Sequence, residues 1–251
     1  MKKIMVIGIG AGNPDYITVQ AVKALNRVDV FFLMDKGRSK DKLIDLRREI
    51  CERYISHRDY RFVEAPVAER ERGDVDYTCS VNELNLAKQR TFERLINEQM
   101  TDGQCGGFLV WGDPALYDST LRILQAILAA GTCAFEYEVI PGITSVQALA
   151  AQHKVTLNQI GRPVEITTGR RLAAGQVSDA DSLVVMLDAQ DAYQQVADQD
   201  TQIYWGAYLG TPDEILISGK LRDVADEIER VRKAARQANG WIMDTYLLHK
   251  P

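Results

Sequence analysis

The chain has 251 residues, of which 46% are hydrophobic, enough to bury a full core as one large domain or two small ones. Its formal net charge of −5 argues against a general nucleic-acid binder, which is normally basic. Cys51, Cys79, Cys105 and Cys133 are scattered with no Cys-x-x-Cys pair, and His57, His153 and His249 are isolated. The expectation is therefore reduced thiols, no disulfide frame and no metal site.

The chain opens MKKIMVIGIGAGNPDYIT. Two lysines before an apolar run imitate a secretory leader, but the run is short, carries three glycines and leads straight into an amphipathic helix. It reads instead as a first strand over Ile4–Ile9, buried on both faces. Thr18 caps a helix with Val19, Val22, Leu25 and Val28 on one face. A second buried strand covers Asp29–Met34 and is closed by Asp35-Lys36-Gly37, after which Ser39 opens a charged helix carrying Leu43, Leu46, Ile50 and Tyr54. Glu69–Asp76 reads as a solvated loop, and Ser80 with Glu83 as a capping box for the next helix. A short strand, Phe108–Trp111, precedes the turn Gly112-Asp113-Pro114, and Ser119–Ala130 is a helix stopped by Gly131. Phe135–Ile140 is a strand, Pro141-Gly142 a turn and Thr144–Gln152 a helix.

Alternating strands and helices to this point argue an α/β fold with a parallel, doubly wound sheet. Beyond it the strands crowd together: Val164–Thr168, Leu183–Leu187, Ile203–Leu209 and Ile215–Ser218, with TPDE at Thr211–Glu214 as a turn between antiparallel neighbours. A helix over Arg222–Ala238, read as a solvated amphipathic face, and a strand over Trp241–Leu248 complete a mixed unit. This change of pattern places the expected domain boundary after residue 114, giving domains 1–114 and 115–251. No stretch reaches the ~20 apolar residues of a membrane span, so a cytoplasmic protein is expected.

Three turns follow strands and precede helices: Gly8-x-Gly10-x-Gly12, Gly112-Asp113-Pro114 and Pro141-Gly142-Ile143-Thr144-Ser145. In open α/β sheets ligands sit beyond the carboxyl ends of the strands, where such turns gather. No lysine follows the glycines as a phosphate loop requires, and the third glycine comes one position early for the dinucleotide fingerprint. Phosphate recognition is thus disfavoured. S-adenosylmethionine, an adenosine with a small carboxylate and no phosphate, fits better. A nicotinamide-dependent oxidoreductase and a non-catalytic sensor of S-adenosylmethionine are the competing classes.

GIGAGNPDYIT, VDVFFLMD, WGDPALY, VIPGITSVQALAA, TTGR and TPDE, in this order from Ile4 to about Leu248, resemble the tetrapyrrole methylases that use S-adenosylmethionine. The resemblance implies two αβα domains of the tetrapyrrole methylase type with the active site in the cleft between them, and a homodimer. It implies that Gly10, Ala11, Gly12, Trp111, Gly112, Asp113, Leu116, Thr144, Ser145, Leu187 and Gly210 hold S-adenosylmethionine and its product S-adenosyl-L-homocysteine. ICERYI at Ile50–Ile55, the opening GIGAGNPDYITVQA and the basic DKGRSKDKL look most like the branch of aerobic cobalamin biosynthesis that methylates precorrin-5 at C1 and expels acetate. Other corrin-pathway methylases and protein or RNA methylases of the same fold are the alternatives.

In that reaction most of the catalysis is positioning of two bound partners, followed by a base that activates water. Asp35 is the first candidate base and Asp113 the second; each also suits a local capping role. An acidic protein that binds a polycarboxylate must concentrate cations, and Arg170 and Lys36 are the candidate substrate-binding residues, with Arg171 and the Arg38–Lys42 segment beside them. This sequence departs from the commoner family pattern at Ala11, where many members carry proline, at Asn13 in place of aspartate, and at Lys36-Gly37 after Asp35.

Overall fold

The computed structural model describes residues 1–35, 41–56, 59–66 and 77–251. Two compact units emerge: Met1–Gly10 with Pro14–Ile143, and Ala11–Asn13 with Thr144–Pro251.

The first unit holds a five-stranded sheet of β1 (Lys2–Gly8), β2 (Val30–Asp35), β3 (Arg61–Pro66), β4 (Cys105–Val110) and β5 (Phe135–Ile140). Their order is β3-β2-β4-β1-β5 and every pairing is parallel. Helices α1 (Val19–Leu25) and α2 (Asp41–Tyr54) cover one face, α3 (Tyr77–Gln99) and α4 (Thr120–Ala130) the other. Side chains alternate across a strand, so Met5 and Ile7 of β1 join Leu25, Phe31 and Ile50 while Ile4 and Val6 join Phe32, Phe92 and Ile127. That two-sided burial is why β1 is apolar without interruption.

The second unit is a mixed sheet of β6 (Val164–Thr168), β7 (Ser182–Met186), β8 (Gln202–Ala207), β9 (Ile215–Lys220) and β10 (Asp244–His249), in the order β6-β7-β10-β8-β9. β6 and β7 are parallel; β10 runs antiparallel to β7 and β8, and β8 antiparallel to β9. Helix α5 (Ser145–His153) contacts β8, β9 and β10, with Leu149 against the backbone of Gly206. The short α6 (Gly169–Ala173) follows β6, and α7 (Leu221–Asn239) packs Ile228 and Ala235 onto the core around Trp205 and Tyr246. Both units are thus α/β.

Four expectations need correction. The boundary falls between Ile143 and Thr144 rather than after residue 114, because β5 pairs with β1 and so keeps itself and α4 in the first unit. β3 is a strand that its mixed residues RFVEAP did not announce; as the edge strand it pairs, among the described residues, with β2 alone. Helix α3 begins at Tyr77, so Ser80 lies inside its first turn instead of at its cap. The helix over 222–238 is not simply a solvated face, because Arg232 is buried within it. Ser39 and the 69–76 loop lie outside the described residues. Gly131 and Gly240 do end α4 and α7, at φ 67° and 74°.

Candidate active site

Within the first unit the three strand-to-helix turns come together. Gly10 and Gly112 form an isolated antiparallel bridge, Gly112 N donating to Gly10 O at 2.8 Å and Gly10 N to Gly112 O at 3.3 Å. A Cβ on Gly142 would lie 2.1 Å from Gly112 O, and one on Gly8 2.6 Å from Gly142 N. Gly10 adopts φ 85°, open to glycine at little cost. The glycines are therefore required first by backbone packed on backbone.

Asp113 fastens this cluster. Its Oδ2 accepts from Gly142 N at 2.8 Å and its Oδ1 from Ala115 N at 2.7 Å, so one carboxylate closes its own turn and ties it to the third. Each oxygen has a backbone donor, as expected of an Asp at a turn. Leu116 N bonds to Asp113 O at 3.3 Å. Of Asp35, the other candidate base, the backbone is described: it ends β2, in register with Pro66. Lys36 lies outside the described residues.

In the second unit Ala11 is buried, and a Cβ on Gly12 would strike Leu209 O at 2.3 Å. Thr144 caps α5: its Oγ1 accepts from Val146 N at 3.1 Å, and the Gln147 side chain accepts from Thr144 N at 3.1 Å. Ser145 Oγ meets Thr245 Oγ1 at 2.9 Å, and Gly210 N donates to Glu214 Oε2 at 2.6 Å. Arg170 and Arg171 are both exposed in α6, and Arg171 donates through Nε and Nη2 to Gln176 O.

Leu187 stands apart from these satisfied groups. It leaves the carboxyl end of β7 in the left-handed region, φ 54°, with 62% of its surface exposed. Such a conformation is costly for leucine. The neighbouring strand end carries Thr168, in register with Met186, and its shielded Oγ1 has no hydrogen-bond partner among the described residues. An exposed apolar side chain at the end of one strand and a shielded hydroxyl, without a partner among the described residues, at the end of its parallel neighbour suit an adenine-like ring with polar edges. Sequence reasoning found Leu187 through its resemblance and did not single out the Thr168 hydroxyl.

The pattern of the Tetrapyrrole (Corrin/Porphyrin) Methylases matches residues 3–225. The chain belongs to the tetrapyrrole methylase family. It is 51% identical over 250 residues to the precorrin-6A synthase [deacetylating] of Sinorhizobium sp., covering 100% of this chain and 96% of that one. Among solved structures, a cobalamin-synthesis-related protein from Corynebacterium diphtheriae superposes with a TM-score of 0.83 at 35% identity, covering 100% of this chain and 99% of the other. A uroporphyrin-III C-methyltransferase of Thermus thermophilus, solved with S-adenyl homocysteine, shares the fold at a TM-score of 0.58 and 17% identity, covering 98% and 97%. The tetrapyrrole methylase frame thus extends over both sheets.

One pocket of the first unit was not foreseen. It lies among β2, β4, α2, α3 and the start of α4, and Arg47, Lys88 and Trp111 line it. Arg47 donates from Nε to Leu109 O at 3.0 Å and from Nη1 to Leu43 O at 2.7 Å. Removal from water lowers its pKa to about 10, against a raising pull from Asp118, and it remains a cation at neutral pH. The signal was present in the sequence: Leu43, Arg47, Ile50 and Tyr54 follow one another at helical spacing, so a cation occupies an apolar stripe.

Proposed function

We propose that this chain is an S-adenosylmethionine-dependent C-methyltransferase of aerobic cobalamin biosynthesis that methylates precorrin-5 at C1 and expels the extruded acyl group as acetate, giving precorrin-6A. The observation that carries this reading is the 51% identity to a deacetylating precorrin-6A synthase across the whole chain. S-adenosylmethionine supplies an electrophilic methyl on a sulfonium sulfur. The protein's part is placement: two bound partners held at reacting distance make up most of the rate gain in such a displacement.

In this reading Gly10, Ala11, Gly12, Trp111, Gly112, Leu116, Thr144, Ser145, Leu187 and Gly210 shape the cofactor site, and Thr168, at the end of the strand paired with β7, adds a hydroxyl that has no partner among the described residues. Asp113 serves through the two turns that its carboxylate joins. Asp35, at the end of β2, accepts the proton of the water that adds to the acyl carbonyl. The carbon–carbon bond to the ring then breaks, its electron pair returns to the macrocycle, and acetate leaves. Arg170 and Lys36 meet carboxylates of the substrate. The enzyme works in the cytoplasm as a homodimer; no helix among the described residues is long and apolar enough to cross a membrane.

The test is anaerobic incubation with precorrin-5 and methyl-labelled S-adenosylmethionine, counting label in the macrocycle and acetate released. Equal amounts are expected, with acetate release lost in Asp35→Asn. Label without acetate would assign the enzyme to another step of the corrin pathway.

A further inference from the structure

Leu187 is left-handed at the end of β7 without being buried there. Tyr208, at the end of β8, is left-handed as well, at φ 50°, but only 2% of its surface is exposed and its Oη donates to Ala235 O at 3.2 Å. Core packing accounts for Tyr208. It does not account for Leu187, which keeps 62% of its surface open. Glycine would take φ 54° at no steric cost, so a leucine in that conformation must be held by its surroundings. The next residue supplies the hold.

Asp188 is 5% exposed. Its Oδ1 accepts from Gln190 N at 2.9 Å, and its Oδ2 accepts from Ala192 N at 2.8 Å and from Tyr246 Oη at 2.7 Å. Its carbonyl oxygen accepts from Arg232 Nη2, while Nη1 of the same guanidinium donates to Asp191 Oδ1 at 3.0 Å. The turn after β7 is thereby tied to its own backbone, to β10 and to α7. Asp188 also explains Gly169 of the TTGR segment: a Cβ there would lie 2.4 Å from Asp188 Cγ and Oδ1 and 2.6 Å from Asp188 Cα. The turn after β6 therefore packs directly on the turn after β7, and one carboxyl group sets the spacing of two parallel strand ends.

We infer that Asp188 is a positioning residue of the cofactor site: it anchors the turn after β7 so that Leu187 is held open and left-handed before the ligand arrives. The inference rests on the function proposed above, which places Leu187 in that site. A wall already in its bound conformation spares the ligand an ordering cost. A wall that wanders weakens apparent affinity by the fraction of time it is out of place.

The experiment measures the Kd of S-adenosyl-L-homocysteine by calorimetry, at a temperature where each variant is folded. Wild type is compared with Leu187→Ala, Asp188→Asn, the double variant, Tyr246→Phe and Leu248→Ala. Asparagine keeps the shape of the side chain but turns an amide towards a backbone N–H, of Gln190 or of Ala192, that now meets an oxygen. Asp188→Asn should raise the Kd about tenfold to a hundredfold, and Tyr246→Phe, which removes one of the three side-chain bonds, by less. Leu187→Ala should also raise it. Because Asp188 acts through Leu187, the double variant should bind within threefold of the weaker single variant. Leu248, 2% exposed and in register with Leu183 and Ile203 at the far end of the same strands, is the control. Leu248→Ala should lower Tm and leave the Kd within twofold of wild type, since lost stability alone does not move affinity.

An unchanged Kd in folded Asp188→Asn would overturn the inference, as would an unchanged Kd in Leu187→Ala, losses that add in the double variant, or an equal rise in Leu248→Ala. Should Asp188→Asn fail to fold, Tyr246→Phe alone and combined with Leu187→Ala gives the same comparison. A wild type that binds S-adenosyl-L-homocysteine but does not methylate precorrin-5 would overturn the proposed step and leave this series standing. A wild type that binds none would overturn both.

Discussion

Gly142 shows how little room the turn cluster leaves. Its φ lies outside the left-handed region, so the requirement for glycine is steric: a methyl group would sit 2.1 Å from Gly112 O and 2.8 Å from the Gly8 carbonyl carbon, all of it backbone. No rotamer change can relieve backbone against backbone. Overpacking of this kind costs roughly 1–3 kcal/mol. Gly142→Ala should lower stability by that amount in a urea titration and weaken S-adenosyl-L-homocysteine binding more than tenfold, because the Asp113–Gly142 bond at 2.8 Å must shift with the turn. A variant of wild-type stability and affinity would mean that the turns are not held by this contact.

Among the elements, α7 and β10 carry a buried charge network. Arg232, 5% exposed, donates from Nε to Asp244 Oδ2 at 2.8 Å, from Nη1 to Asp191 Oδ1 at 3.0 Å, and from Nη2 to Asp188 O. Asp244 also accepts from Trp205 Nε1 at 3.1 Å, and Tyr246 donates to Asp188 Oδ2 at 2.7 Å. Removing one partner strands the others, at about 3–5 kcal/mol. Arg232→Met should cost that much in chemical denaturation, and adding Asp244→Asn should recover part of it; an additive double variant would argue against the network. Arg232 escaped the sequence reading for the same reason as Arg47. Ile228, Arg232 and Ala235 share a helical stripe, and a cation in that stripe marks either a buried pair or a ligand site. Only tertiary structure tells the two apart, since Asp191 and Asp244 come from elsewhere in the chain.

A second element-level device titrates. Glu165 of β6 accepts from Ser178 N at 2.7 Å, pinning the segment that leads to β7. The Ser178 hydrogen bonds hold its carboxyl below the ordinary range. A depressed carboxylate contributes stability that is complete above its unfolded value and is lost as pH falls through the folded one. The stability gap between wild type and Glu165→Gln should therefore be constant above about pH 5 and close towards pH 3. A gap that widened in acid would reverse the sign of this assignment.

At the scale of the molecule, most elements were legible because local pattern and burial agree: β1, β2 and β4 are apolar runs closed by turns, and TPDE does separate the antiparallel pair β8 and β9. What was not legible depended on pairing between distant segments. β5 belongs to the first unit through its register with β1, and residues 11–13 belong to the second. The gathering of the turns at Gly8, Gly112 and Gly142 was readable from their places after strands; the packing that makes each glycine necessary was not. The spacing of those glycines also carries a ligand preference that can be checked on the whole protein. With the third glycine early and no lysine after it, a dinucleotide phosphate finds neither its turn nor its charge. A ligand at a hundredfold excess over its Kd adds about 2.7 kcal/mol, which for a chain of this size raises Tm by roughly 5–10 °C. S-adenosyl-L-homocysteine should produce that rise, and NAD or NADP at the same concentration should produce none. A shift with the dinucleotides and none with S-adenosyl-L-homocysteine would return the glycine turns to an oxidoreductase reading and remove the methyl donor from the site.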